Sequence, residues 1–282
     1  MVVCLEARVI RHIETNGSPV RGITSVDDEL FVLLGAVNNQ VAVYNINHYK
    51  LLRLLHLPEL NVSCDNDMTS CVRNKCLYIS DPSNNGILRY QLSVKVSAIM
   101  KLFTSRHISK WSVPGSPRGL SLTPNRNLLV TCPRPTNKLV ELSADGGQCV
   151  REIELQADIE SLRHAVQLTS GQYVVCHGGR NHGLHRVCLV DDKGKVRRSY
   201  GGQSGSDVGQ LDEPRHLAVD EDSQFVFVAD SVNNRVMLLS PTLEFVRDFS
   251  EGLVQPQRLY FHHTTCRLYV GRHVDRVFVI QL

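Results

Sequence analysis

The chain has 282 residues, 42% of them hydrophobic and 21% charged, with a net charge of +3; this excludes a disordered polar segment, and the charge is too small by itself to imply a nucleic-acid or membrane partner. No apolar run approaches the roughly 20 residues of a membrane span, and Glu6 and Arg8 already interrupt the first ten positions, so no secretory or membrane segment is expected. Nine cysteines, an odd number without paired spacing, point to free thiols in a reducing compartment and to a cytosolic protein.

In chain order, Arg8-Val9-Ile10-Arg11-His12-Ile13 alternates apolar with basic residues and reads as a strand. A first unit opens at Pro19-Val20-Arg21-Gly22, and a second, weaker one is centred on Leu77-Tyr78-Ile79-Ser80-Asp81 with Asn84-Asn85 after it. The third runs from Pro117-Arg118-Gly119-Leu120 through Leu128–Cys132 and Asn137–Leu142 to a hairpin at Asp145-Gly146-Gly147. A fourth opens at Leu162-Arg163-His164-Ala165. The fifth is the clearest: Pro214–Asp220, Phe225–Asp230, Asn233–Leu239 and Glu244–Phe249 are four short apolar runs bounded by Asp, Ser, Asn or Pro. The sixth opens at Pro256-Gln257-Arg258-Leu259 and runs out at Val277–Ile280, its third strand.

Aligned on arginine, the units start at 21, 118, 163, 215 and 258, and the gap of 97 between the first two holds two units. A period in the forties with four strands per unit predicts an all-β, six-bladed β-propeller. The blades fall at about 15–60, 61–110, 111–156, 157–202, 203–250 and 251–282 plus 1–14, in a single domain spanning 1–282. The N-terminal segment would supply the missing fourth strand of the last blade, closing the ring and removing an exposed sheet edge.

Pro214 through Leu239, with its Pro-x-x-x-Ala-Val-Asp, Val-Ala-Asp and Asn-Asn-Arg-Val steps, resembles an NHL repeat. The glycine-rich approach Gly201-Gly202, Gly205 and Gly209-Gln210-Leu211 is similar to that family's inter-blade loop. The likeness spans the chain and is closest in the fifth unit. It implies a propeller used for protein or RNA binding, of the sort found at the C-terminus of tripartite-motif proteins. No RING, B-box or coiled-coil pattern lies in these residues, so ligase activity is not expected.

Catalytic motifs are not visible: there is no Gly-x-Ser-x-Gly elbow, no Walker loop, no His-Glu-x-x-His and no Cys-x-x-Cys. His177-Gly178-Gly179 reads as a tight turn, and His164, His216, His182, His185 and His273 as polar packing without metal-ligand spacing. Cys132 and Cys176 read as small core residues. The sharper signal is arginine, present 23 times against 8 lysines. Arg21, Arg118, Arg163, Arg215 and Arg258 share one register, which a meander brings to one mouth of the channel. Arg134, Lys138, Arg180, Asn233, Asn234, Arg235, Arg272 and Arg276 are expected on the same face. Asp27, Asp28, Glu29, Asp145, Asp191, Asp192, Asp220, Glu221 and Asp222 collect on the opposite one.

The ring arginines have two readings, stitching blades through acids such as Glu160 or Glu213, or binding an anionic ligand. The expected function is a non-catalytic scaffold whose arginine face recognises a protein or acidic peptide, with an RNA loop as the other ligand class. Neither cofactor nor metal is expected, and the domain is taken as monomeric. The alternative is a propeller enzyme resembling the lactonase or peptide-amidating lyase groups, with a metal at the channel mouth; five arginines there would repel a divalent cation.

Overall fold

Short runs of β-branched and aromatic residues, each closed by a turn residue, fold as strands because no run is long enough for a stable helix and each packs well on a pleated surface. The computed structural model describes residues 7–35, 39–58, 60, 62–92, 108–179, 183–273 and 275–282. Its strands form six antiparallel four-stranded sheets. The first holds β2 (Val20–Val26), β3 (Glu29–Leu34), β4 (Gln40–Asn45) and β5 (Leu51–His56). β6 (Met68–Cys71), β7 (Cys76–Asp81), β8 (Gly86–Gln91) and β9 (Ile108–Ser112) form the second. The third comprises β10 (Leu120–Leu122), β11 (Leu128–Cys132), β12 (Lys138–Leu142) and β13 (Cys149–Glu154). The fourth is β14 (Leu162–Gln167), β15 (Tyr173–His177), β16 (His185–Val190) and β17 (Val196–Gly202). The fifth is β18 (Pro214–Val219), β19 (Val226–Asp230), β20 (Arg235–Leu239) and β21 (Phe245–Phe249). The sixth joins β22 (Pro256–His262), β23 (Arg267–Arg272) and β24 (Arg276–Gln281) to β1 (Arg8–Glu14).

This is a six-bladed β-propeller. The first strand of each sheet lies innermost and touches the first strands of its neighbours around the ring. One apolar layer fills each gap between consecutive sheets: between the fourth and fifth, Val174, Cys176 and Val187 meet Leu217, Val228 and Met237. Between the second and third, Tyr78 and Ile87 meet Val130 and Val140. The two central strands of each blade are therefore covered on both faces and read as unbroken apolar runs, whereas the outermost strands are largely exposed, as in β5 and β13.

Turn chemistry sets the blade ends. Asn85 and Asn234 adopt left-handed backbone at φ 47° and 56°, which asparagine tolerates. Asp230, fully buried, organises the fifth blade's loop: its carboxylate accepts from Asp212 N–H at 2.7 Å, Asn233 Nδ2 at 2.8 Å and Arg235 Nε at 2.7 Å.

The ring closes through the N-terminal strand. β1 pairs antiparallel with β24 from Arg8↔Gln281 to Glu14↔Arg276, Thr15 N–H continues the ladder to the Asp275 carbonyl at 2.7 Å, and Ile13 is 3% exposed. Deleting the chain through Glu14 bares the β24 edge and the apolar layer beneath Ile13. The melting temperature should fall by roughly 5–10 °C, for a loss of a few kcal/mol. A truncated protein that melts with the intact one would show that β1 adds nothing to closure.

Candidate active site at the channel mouth

Strand register places two rings of residues on the channel wall. Val20, Leu162, Pro214 and Pro256 pair with the last residues of the second strands, Leu34, His177, Asp230 and Arg272. One position on, at the rim, stand Arg21, Arg163 and Arg215, with Arg118 in the third blade. One position deeper, Gly22, His164 and Arg258 pair with Leu33, Cys176 and Gly271. Asp67 and Gly119 bond at this level to Ser80 and Thr131, and His216 lies between the Pro214↔Asp230 and Leu217↔Val228 pairs. Arg258 therefore belongs to the deeper ring, where Gln257 takes the rim position expected for it. The run Pro-Gln-Arg carries one residue more before its arginine than Pro-Arg does, which shifts it inward.

The deeper ring plugs the channel. Asp67, 2% exposed, accepts from Leu120 N–H at 2.9 Å and from His216 Nε2 at 3.2 Å on Oδ2, with His164 Nε2 3.5 Å away. Its Oδ1 accepts from Met68 N–H at 2.8 Å and faces Arg258 Nε at 3.6 Å. The two imidazoles stack with centroids 3.8 Å apart. Gly119 makes room for them, since a Cβ there would come within 2.7 Å of the His164 ring. Arg258, 8% exposed, reaches the carbonyls of Arg21, Gln257, Asn66 and Cys64 at 2.7, 2.8, 2.8 and 3.3 Å, tying the sixth blade to the first and second.

Asp67, His164 and His216 are close enough to share a metal ion. Their hydrogen bonds do not suit one. Leu259 N–H donates to His216 Nδ1 at 3.4 Å, so the ring proton is assigned to Nε2 and donated to Asp67; His164 Nε2 likewise donates to the Leu120 carbonyl at 3.1 Å. The atoms a cation would need carry protons, and a guanidinium lies against the carboxylate. Burial and His216 push His164 down to about 3. Burial alone would raise the Asp67 carboxyl, but His216 and Arg258 outweigh it and hold it well below the usual carboxylate range.

Above the plug, two adjoining depressions share Cys64 and Arg215: one is also lined by Asp65, Arg118, Arg163 and Arg258, the other by Arg21, Glu213, Gln257 and His273. Here the two readings of the arginines divide. Arg118 pairs with Asp65 at 2.9 Å, Arg215 with Glu213, and Arg258 with Asp67. Arg21 and Arg163 have no carboxylate partner among the described residues: Arg21 Nη1 lies 3.5 Å from His273 Nδ1, and Arg163 Nε donates to the Gly178 carbonyl at 3.4 Å. Burial, then Arg215 and Arg118, push the Arg163 guanidinium down to about 10. His273 is solvent-exposed, and partial burial with Arg21 and Arg215 lowers its pKa.

The outlying cations do other work. Arg235 binds Asp230, Asp248 and the carbonyls of Ser206 and Gln210, and Asn233 donates to the Gly205 carbonyl, so both fasten the inter-blade loop. Asn234 Oδ1 accepts from Gln255 N–H at 2.9 Å. Lys138 pairs with Glu152, Arg272 with Asp275, and Arg276 with Asp275 and Glu14. Arg134 is exposed. Arg180 and His182 lie outside the described residues. Cys132 and Cys176 are buried free thiols in the apolar layers. Sequence reasoning put Asp67 on the arginine face only as one of eight acids, without pairing it with Arg258, and did not single out Cys64. The second unit has no arginine to align on; only its register, Asp67 opposite Ser80, brings it into the ring.

No family model matches the chain, and no curated protein matches it in sequence. Two solved lyases share its fold over nearly the whole length. A catalytically inactive histidine-to-alanine variant of virginiamycin B lyase from Staphylococcus aureus, crystallised with quinupristin, aligns with TM-score 0.64 and 12% identity over 98% of this chain and 100% of that one. A streptogramin B lyase aligns with TM-score 0.65 and 10% identity over 97% of each. At such identity the likeness carries the six-bladed fold. The expectation of a non-catalytic scaffold is corrected by this finding, since these two fold neighbours are lyases rather than binding platforms.

The plug governs stability. Asp67→Ala leaves Arg258 buried without its carboxylate and should lower unfolding free energy by about 3–5 kcal/mol, read from the urea midpoint; a change under about 1 kcal/mol would remove the pair from the fold's support. Burial, together with Arg186, also pushes His177 down to about 4. Both His164 and His177 lie below the ordinary imidazole value of about 6.5 and protonate only on unfolding. Their contribution is complete above about pH 6.5 and is lost as pH falls toward their folded values, with Asp67 adding a further loss below about pH 4. Thermal scans from pH 8 to 4 should show a decline beginning near pH 6.5; a flat profile down to pH 5 would contradict neutral buried imidazoles.

Proposed function

We propose that the chain is a propeller enzyme of the lyase type, working in the arginine-rimmed depressions without a metal, on a substrate with an acidic C–H beside a carbonyl. The observation that carries this reading is the solvent-facing imidazole of His273 beside Arg21, in a depression it shares with Arg215. A general base must be unprotonated at its working pH, and burial with the two guanidiniums favours the neutral ring. The same cations are oriented for negative charge developing on a carbonyl oxygen when the neighbouring proton leaves.

In this mechanism the neutral His273 imidazole takes the proton on the ring nitrogen that Arg21 does not face, and the C–H electron pair forms a C=C bond. The C–O or C–N bond at the next carbon breaks, and the leaving group departs with that pair. Two further points support the reading. Both structural relatives are lyases, and one is inactive with a single histidine replaced by alanine. The NHL-like steps of the fifth blade, on this view, build a blade and do not specify binding.

The test is turnover of a panel of esters and lactones whose alkoxy carbon neighbours an acidic C–H, quinupristin among them, in 18O-labelled water. Elimination yields an unsaturated product without 18O. His273→Ala should lower kcat/KM by about 10²-fold or more with an unchanged melting temperature. Activity should be flat through neutral pH and fall only on acidification below the ordinary imidazole range, because the base must be neutral and burial with Arg21 and Arg215 lowers its pKa. Incorporation of 18O, or full activity in the variant, would sink the proposal.

A further inference from the structure

The arginine rim carries an imbalance that its own ion pairs do not remove. Five guanidiniums, from Arg21, Arg118, Arg163, Arg215 and Arg258, face three carboxylates, from Asp65, Asp67 and Glu213. The pairs Arg118–Asp65, Arg215–Glu213 and Arg258–Asp67 use all three. Arg21 and Arg163 are left over. Arg21 is 8% exposed and its Nε has no hydrogen-bond partner. Among the described residues, the hydrogen bond given for the Arg163 guanidinium is the long one to the Gly178 carbonyl, and Arg163 is flanked by Arg118 and Arg215 in the same depression. Asp65 and Glu213 act on these two guanidiniums only at longer range, and holding them near like charges and away from water costs free energy, which an anionic ligand would return.

Position sharpens the inference. Arg21 is in the first blade and Arg163 in the fourth, on opposite sides of a six-membered ring, and each lines a different one of the two adjoining depressions. A single compact anion meets one of them. Two anionic groups joined by a short spacer meet both, each facing a planar fork of N–H donors suited to a carboxylate. We infer that the channel mouth is a receptor for small molecules with two separated carboxylate groups, one held by Arg21 and the other by Arg163. The inference rests on the lyase reading for its meaning, since it names the substrate class of that site: a dicarboxylic acid that carries an O- or N-linked leaving group on the carbon next to its acidic C–H, held at both ends with that C–H toward His273.

Calorimetric titration of the intact chain with succinate, glutarate and adipate tests it, with acetate and inorganic phosphate as single-centre controls. At least one dicarboxylate should bind tenfold or more tighter than acetate and phosphate, and its affinity should fall more steeply with added salt than theirs. Arg163→Met should bring that ligand down to the level of acetate. Arg163→Lys, which keeps the charge and loses the fork, should recover only part of the difference and guards against misfolding of the methionine variant. Dicarboxylates no tighter than acetate, a preference for phosphate, or an Arg163→Met variant that folds and binds like the parent would each overturn the receptor. Because binding is measured directly, tight dicarboxylate binding without turnover would retire the elimination and keep the receptor, whereas turnover without dicarboxylate preference would do the reverse.

Discussion

A buried carboxylate against a buried guanidinium, Asp67 against Arg258, is the interaction on which the centre of this propeller depends. Two charges out of water are costly, and this pair sits on the channel axis, where six inner strands converge and no apolar layer runs. Asp67 is held by the backbone of its own blade and the third, and by imidazoles from the fourth and fifth; Arg258 binds carbonyls from the first, second and sixth. All six blades thus meet through one ion pair and its hydrogen bonds. The apolar layers hold neighbours to neighbours; the plug is what refers every blade to the same axis.

Closing the throat has a chemical consequence. The depressions above it have a polar floor and a rim of guanidiniums, while the cavity beneath is walled by apolar side chains such as Met68, Leu217 and Leu259, and by hydroxyls already paired, Thr24 with Ser70 and Ser25 with Tyr260. The two ends of one channel therefore offer different solvents. The lower rim mixes Arg73 and Arg126 with Asp27 and Glu221, whereas guanidiniums outnumber carboxylates at the upper mouth, and the positive field is concentrated there. That division, more than net charge, distinguishes the two faces of the molecule.

The same arginines show why stitching and recognition are not exclusive readings. Those with an acid on a neighbouring loop spend their charge on the fold. Arg21 and Arg163, which have no carboxylate at ion-pair distance among the described residues, contact His273 and the Gly178 carbonyl instead. A repeat architecture allows this because equivalent positions need not do equivalent jobs: in the deeper ring the same place is glycine twice, histidine twice, aspartate once and arginine once.

The sequence by itself determined the blade count, the strand pattern, the closure by Arg8–Ile13 and the gathering of arginines at one mouth, because these follow from local periodicity and from a meander that returns to the same face every two strands. It could not decide function, since a propeller fold serves enzymes and binding platforms alike, and the expectation of a scaffold was corrected only when the whole fold was set beside two solved lyases. Nor could it find the plug. Asp67 lies 149 residues from His216 and 191 from Arg258, in the unit whose repeat is weakest, and its first-strand partners are read only from register. One residue more between Pro256 and its arginine moved Arg258 from the rim to the throat, a shift that an alignment on arginine conceals. Tertiary structure decided it because register and burial, and not residue type, determine which charges face each other across an axis.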